Sequence, residues 1–211
     1  MKTQYVIKQL LTLLIVILVS LESQAQGIQR YGLKAGVQRT AIPVNPSEAA
    51  DWDLVMKAGI GFQVGAFATF GLTDRLSLQP ELLFSAQSFK EVMDVQYVGE
   101  DEVTEKVENY KANFLKIPVL LRYGITEKFF AEIGPQADFL VSANIEKADW
   151  DVFAGDGKFN FSGTVGAEYL ITEQFGVQLR YAHTFGKRNP DGYIWYGDRP
   201  TIISLGITYS F

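Results

Sequence analysis

The chain has 211 residues, with 19 Lys and Arg against 24 Asp and Glu, one His and no Cys, and its formal net charge is −5. The acidic balance argues against a nucleic-acid partner. The lack of Cys excludes disulfides and thiolate metal centres. The length suits one domain, and no linker-like or low-complexity tract divides it.

The first 25 residues have the pattern of a cleaved secretory signal peptide. Lys2 and Lys8 precede an apolar run from Leu10 to Leu21, and a small-x-Ala cleavage site ends at Ala25. The apolar run has about 12 residues, whereas a membrane-spanning helix needs roughly 20. We therefore expect a signal peptide at residues 1–25 and one domain at residues 26–211.

The rest of the sequence contains eight runs in which apolar and polar or small residues alternate. The corresponding strands are predicted near residues 28–37, 57–70, 76–88, 110–123, 129–141, 159–170, 175–186 and 201–211. A soluble calyx would show the same alternation with its apolar face inside, but Gly and charged residues would line such a cavity poorly. We predict an all-β fold, an eight-stranded antiparallel up-and-down transmembrane β-barrel of the outer-membrane type, with its apolar face toward lipid.

Three short segments mark tight turns between these strands. They start at Leu72, Ile125 and Ile171, and each has the order apolar, Thr, acidic, polar or basic, apolar. Longer polar segments separate the other strand pairs. Short turns at one end and long loops at the other are typical of outer-membrane barrels. This asymmetry predicts that the short turns and both termini are periplasmic.

Three predicted strands contain a proline. Pro80, Pro118 and Pro135 cannot donate a ladder hydrogen bond, and Pro normally avoids central strands. We expect a bulge or a locally missing hydrogen bond at each of them.

Aromatic residues concentrate toward both ends of the predicted strands. We predict two interfacial girdles, although β-propensity alone also enriches strands in aromatics. One girdle comprises Phe70, Tyr123, Phe129, Phe130, Tyr169, Phe175, Tyr209 and Phe211, and the other Phe84, Phe89, Tyr110, Phe114, Phe139, Phe159, Phe161, Tyr181 and Phe185.

The inward phase of the strands carries as many positive as negative charges. An eight-stranded barrel leaves room only for side chains or one small ligand, and isolated buried charges are very costly. We expect an internal ion-pair network, the alternative being a narrow polar passage or a gate. Its predicted members are Lys34, Glu81, Lys116, Arg122, Glu132, Asp138, Glu168 and Arg180.

The predicted long loops hold the acidic surplus. Residues 89–109 contain seven acidic residues and two Lys, which indicates a solvated loop or, alternatively, a contact for cations or a basic ligand. Asp149 to Gly157 hints at Ca²⁺, but the spacing does not fit the twelve-residue loop. No metal site or cofactor is predicted. The last loop carries aromatics from Tyr193 to Tyr196, which could anchor a partner or rest on the membrane interface.

Catalysis has little support in this sequence. His183 falls near the outer rim on the lipid-facing phase, where a lipid A-modifying enzyme could use a His with Ser88 or Ser162 nearby. Neither Ser stands in a nucleophile motif. We expect no enzyme.

The chain resembles a family of small outer-membrane β-barrel proteins described as PorT-like. The resemblance rests on Leu78 to Ser85, Leu115 to Gly124, and Ile133 to Gln136. The family's best-known member is linked to a protein secretion and gliding system, but most members have no assigned activity, so the resemblance implies a fold and a location. At position 116, where the family often has an acidic residue, this sequence has Lys.

The terminal strand also resembles those of outer-membrane proteins generally, in which a final Phe is read by the barrel assembly machinery. The residues of this signal are Leu205, Ile207, Tyr209 and Phe211. This likeness implies outer-membrane lipid and the assembly machinery as partners. We expect an integral outer-membrane protein with a filled interior, whose role lies in its extracellular loops or in envelope structure. The alternatives are a narrow porin-like channel and a lipid A-modifying enzyme.

Overall fold

The computed structural model describes residues 27–41, 54–96, 103–145, 159–185 and 200–211. Adjacent strands in these ranges pair antiparallel, and the first pairs with the last, so the sheet is one closed barrel. The predicted eight-stranded up-and-down barrel is confirmed. The strands are β1 (Ile28–Ala41), β2 (Leu54–Gly71), β3 (Leu76–Gln96), β4 (Val103–Gly124), β5 (Phe129–Ile145), β6 (Phe159–Leu170), β7 (Phe175–Thr184) and β8 (Thr201–Ser210).

The barrel is apolar outside and polar inside, the reverse of a soluble calyx. Along β7, Phe175 and Leu179 are exposed while Gln178 and Arg180 are buried. The exposed apolar side chains suit contact with lipid, and the buried polar ones satisfy one another in the lumen. Among the described residues, no helix is long and apolar enough to cross a membrane.

The strands differ about twofold in length. β7 and β8 have 10 residues each, whereas β3 has 21 and β4 has 22. The β3–β4 ladder extends to Gln96 opposite Val103, and β2 and β5 follow it for part of this height. We call this extension the projecting sheet; it comprises residues 54–58, 89–96, 103–110 and 140–145.

The projecting sheet corrects the prediction of a loop at residues 89–109. Register pairs run from Phe89 opposite Tyr110 onward, so of this segment only residues 97–102 lie outside the described strands. The prediction was wrong because it required alternating apolar residues. A ladder outside lipid needs backbone hydrogen bonds but no apolar face.

The three predicted tight turns share one hydrogen-bond pattern. In each, the Thr hydroxyl oxygen accepts from the N–H groups two and three residues later, at 3.3–3.4 Å and 3.0 Å. The N–H of each Thr, and that of the residue before it, donate to the carbonyl that opens the next strand. A side-chain acceptor at this position closes the turn, which explains why Thr recurs.

Each short turn is also bonded to a neighbouring strand end. The N–H groups of Gly124, Leu170 and Ser210 donate to the last carbonyl of the first, second and third turn, at 2.7–2.8 Å. Ser210 is therefore equivalent to Gly124 and Leu170, and Phe211 takes the place of the apolar residue that begins a turn. The chain end continues the repeat of this barrel end, which we call the short-turn end.

The three prolines are accommodated by short gaps in the pairing. The β2–β3 ladder skips Pro80, the β3–β4 ladder skips Pro118 and the β4–β5 ladder skips Pro135, and each resumes on the same register. Of the two expected outcomes, the structure has the locally missing pair rather than a bulge at these sites.

Several glycines allow neighbouring backbones to approach closely. A Cβ added at Gly65 would lie 2.0 Å from the carbonyl oxygen of Leu82, and one added at Gly61 would lie 2.0 Å from that of Ala86. Both obstacles are backbone atoms of β3, so relief would require strand displacement. A Cβ at Gly124 would meet nothing closer than 3.4 Å, in the ring of Phe130.

We predict that Gly65→Ala destabilises the barrel by about 2 kcal/mol, because it overpacks a strand contact. Urea unfolding of barrel refolded in lipid vesicles measures the change. Gly124→Ala is the matched control and should shift the midpoint little. Equal stability of the two variants would contradict the role assigned to the close approach.

Candidate functional site: the charged interior

The eight charged residues predicted to face inward all lie in the lumen. None exposes more than 5% of its surface: Lys34, Glu81, Lys116, Arg122, Glu132, Asp138, Glu168 and Arg180. They project from β1, β3, β4, β5, β6 and β7. Side chains from opposite walls can meet because an eight-stranded barrel is narrow.

Arg180 is the centre of the network. Its Nη1 and Nη2 donate to the two carboxylate oxygens of Glu81, both at 2.6 Å. Its Nε and Nη2 donate to Glu132 Oε2 at 2.9 and 2.8 Å. One guanidinium thus links two carboxylates from different walls, in the two-pronged geometry that favours Arg over Lys.

Neighbouring side chains complete the coordination of both carboxylates. Lys34 Nζ donates to Glu81 at 2.7 Å and to the side-chain oxygen of Gln178 at 3.0 Å. Gln178 in turn donates to Glu132 at 2.9 Å, and Gln79 donates to Glu81 at 2.8 Å. These bonds offset the desolvation of the carboxylates.

Toward the short-turn end, the network continues through Arg122. Its Nε lies 3.5 Å from Glu132 Oε1, its Nη2 donates to Glu168, and the ring of Phe130 lies 3.7 Å from its guanidinium carbon. Glu168 also accepts from the Thr208 hydroxyl at 2.5 Å and lies 3.5 Å from Arg30.

A second cluster lies toward the long-loop end. Asp138 accepts from Gln136 and from the Ser162 hydroxyl, both at 2.7 Å. Lys116 stands opposite Asp138 in the β4–β5 register, and its Nζ lies 3.5 Å from the side-chain oxygen of Gln38. Along the described lumen, charged and amide side chains therefore occupy successive layers.

Among the interior residues that the sequence analysis did not place inside are Arg30, Phe114 and Phe130. Arg30 lies in the same phase of β1 as Lys34, so alternation could have identified it. Phe130 and Phe114 were assigned to the aromatic girdles, and this was wrong: Phe114 is 2% exposed, and Phe130 stacks on the lumen guanidinium of Arg122. Their phase, shared with Glu132 and Lys116 respectively, could have placed them inside. Other predicted girdle rings, such as Tyr169 and Phe161, are exposed on the outer face.

His183 lies on the outer phase of β7, edge-on to Phe185 at 5.7 Å between ring centroids. Ser162 faces the opposite side of the barrel wall, where it bonds Asp138. The Ser88 hydroxyl donates to the Ile60 carbonyl at 2.6 Å. Neither hydroxyl bonds His183, so the structure does not assemble the Ser and His pair considered from the sequence.

Several other predicted features lie outside the described residues. Residues 1–25, the Asp149 to Gly157 segment and the Tyr193 to Tyr196 segment lie outside the described residues. Within the described part of the chain, no cluster of acidic or His side chains is placed to hold a metal. The proposed assembly residues Leu205, Ile207 and Phe211 are exposed on the outer face, and Tyr209 packs against Phe175 at 4.9 Å between centroids. Recognition by the assembly machinery stays a prediction.

Comparison with known proteins points to one family. A family model described as outer membrane protein beta-barrel domain matches residues 24–187. No curated protein sequence matches the chain.

Solved structures of similar fold include three bacterial surface barrels. Neisserial surface protein A is 12% identical, with 89% of this chain and 99% of that chain covered and a TM-score of 0.49. Ail of Yersinia pestis is 9% identical, with 86% and 98% covered and a TM-score of 0.43. OprG of Pseudomonas aeruginosa is 12% identical, with 86% and 93% covered and a TM-score of 0.42. These similarities concern the barrel fold alone.

We predict that Arg180→Met destabilises the barrel by about 3–5 kcal/mol, because it leaves buried carboxylates without their shared cation. The measurement is the urea midpoint in lipid vesicles. Arg39→Met is the control, since Arg39 is exposed on the outer face. Adding Glu132→Gln to Arg180→Met should recover part of the loss. A stability equal to that of the control would contradict the central role of Arg180.

Proposed function

Because the chain belongs to the outer membrane protein β-barrel domain family, we propose that it is an occluded outer-membrane barrel that displays an interaction surface outside the membrane. The charged network that crosses the lumen is the observation that carries this proposal. The proposal assigns no catalysis to the protein. If the displayed surface contacts only lipid, we propose that the protein supports the structure of the envelope.

The central layer of ion pairs supports occlusion of the lumen. Arg180 connects Glu81 on β3 with Glu132 on β5, and Lys34 on β1 joins the same layer. Opening a path past these groups would separate buried ion pairs, which is costly when a partner is left uncompensated. The narrow-channel alternative requires such a separation.

The unequal strand lengths support the display of a surface outside the membrane. A transmembrane strand needs about 9–11 residues, which β7 and β8 match with 10 each. At about 3.3 Å per residue, β3 is about 70 Å long against about 33 Å for β7. If the short-turn end faces the periplasm, as we propose, the projecting sheet extends outside the cell.

The same proposal includes the remaining sequence-based assignments. Residues 1–25 serve as a signal peptide, and both termini are periplasmic. Membership of the narrower PorT-like group rests on the Leu78 to Ser85, Leu115 to Gly124 and Ile133 to Gln136 segments. The sequence of residues 89–109, with seven acidic residues against two Lys, favours a cationic rather than an anionic partner surface.

We predict that the purified barrel gives no stable single-channel conductance in planar bilayers, because the lumen is crossed by ion pairs. The Glu81→Ala and Arg180→Ala double variant, which removes a facing pair, should conduct measurably more than wild type. Arg39→Ala, on the outer face, should stay silent. Steady conductance by the wild-type protein would favour the narrow-channel alternative instead.

We also predict that the projecting sheet is exposed outside the cell. Because the chain has no Cys, single Cys substitutions report topology directly. Glu100→Cys, between β3 and β4, should react with a membrane-impermeant maleimide in intact cells. Glu173→Cys, in a short turn, should react only after the outer membrane is permeabilised. The opposite labelling pattern would reverse the proposed orientation.

Shortening the β3–β4 hairpin tests the display role. Lys90 and Asn109 are paired, so joining them through Asn-Gly keeps a hairpin register while removing residues 91–108. We expect this variant to fold as a barrel. A photoreactive group at Lys90 should no longer form the cross-links that it forms in the protein with the complete hairpin. Unchanged cross-links would contradict the display role without affecting the occlusion argument.

A further inference from the structure

A cavity of about 610 Å³ opens at the short-turn end of the lumen. Its walls are residues of β1 to β5 and of the first two short turns. Arg30, Arg75 and Arg122 line it, together with the acidic Asp74 and Glu127. Asp74, Arg75 and Glu127 are exposed at the rim, whereas Arg122 is buried and Arg30 is half-buried.

The inward-facing charges of the lumen are not balanced. In the described part of the chain, five cations face inward, Arg30, Lys34, Lys116, Arg122 and Arg180, against four carboxylates, Glu81, Glu132, Asp138 and Glu168. Arg30 accounts for the extra positive charge. Its charge lies at the cavity, where an added anion would restore the balance.

Arg30 is held in place on three sides. Its Nε donates to the Ser210 hydroxyl at 2.7 Å, its Nη1 lies 3.5 Å from Glu168, and its guanidinium carbon lies 5.5 Å from the centre of the Phe67 ring. Its Nη2 is buried and has no hydrogen-bond partner among the described residues. A fixed guanidinium with an unused donor is prepared to bind an acceptor, since buried donors are nearly always satisfied.

The chemistry of the site selects a particular ligand class. Guanidinium groups only donate hydrogen bonds, and their fork matches the oxygens of carboxylates and phosphates. We propose that this cavity binds a small oxyanion, a phosphate or a carboxylate, through Arg30, with Arg122 and Arg75 adding positive charge. The acidic Asp74 and Glu127 at the rim restrict the site to anions small enough to reach past them.

Inorganic phosphate is the probe for this site. The full-length mature protein, refolded in an uncharged maltoside detergent, is titrated with phosphate at constant ionic strength set by chloride. Binding is followed by calorimetry and by the NMR signals of Arg side chains. We expect saturable binding with a shift of the Arg30 signal. The absence of phosphate binding would overturn the proposal. Chloride binding as tight as phosphate binding would overturn it as well.

Arg30→Gln is the test variant, and Arg39→Gln is its control on the outer face of the same strand. Because Glu168 keeps Arg122 and Thr208, Arg30→Gln should still fold, which heat-modifiable gel mobility checks independently. We expect the variant to bind phosphate about tenfold or more weakly, as loss of a charged hydrogen bond implies. Equal affinities of Arg30→Gln and wild type would overturn the proposal.

The same titration in phospholipid nanodiscs identifies the source of the oxyanion. Weaker phosphate binding in nanodiscs than in maltoside would mean that a lipid headgroup phosphate competes for the cavity. Equal binding in both would mean that the site takes a free oxyanion from solution. Either outcome keeps Arg30 as the binding group.

Discussion

The narrow lumen of an eight-stranded barrel is the constraint on which the rest of this structure depends. A lumen this narrow cannot hydrate isolated charges well, so each charged side chain needs a protein partner. Arg180 forms ion pairs with both Glu81 and Glu132. The same bonds that stabilise the barrel cross its lumen, and they are the basis of the proposal that the barrel is occluded.

The wall of the barrel obeys a second constraint, set by lipid. Along β7 and β8, exposed apolar side chains alternate with side chains that face the lumen, and the length of both strands matches a membrane span. Beyond that length, backbone pairing continues the four strands of the projecting sheet. The barrel therefore has strands of membrane-spanning length on one side and an asymmetric extension on the other, and the proposed function assigns contact with other molecules to this extension.

The two barrel ends are built differently. The short-turn end is a repeated unit, in which a Thr hydroxyl closes each turn and the last carbonyl of the turn bonds the next strand pair. Phe211 continues this repeat, which ties the chain end into the wall beside β1. The first two turns of this rim line the cavity at Arg30, so a compact, well-bonded frame holds a guanidinium that shares Glu168 with Arg122.

Period-two alternation and three Thr-acidic turns determined the strand count, the pairing order and the inward phase of the eight charged residues. Lipid and a narrow lumen impose these patterns on residues that are close in sequence, so the patterns can be recognised from the sequence alone. Tertiary structure alone decided which charges meet, such as Lys34 with Glu81 rather than with another carboxylate, because shear and stagger set the facing layers. It also decided the height of the projecting sheet, since ladder bonds between backbones leave no side-chain pattern. The spare donor of Arg30 emerges only when the partners from β6 and β8 are counted in space.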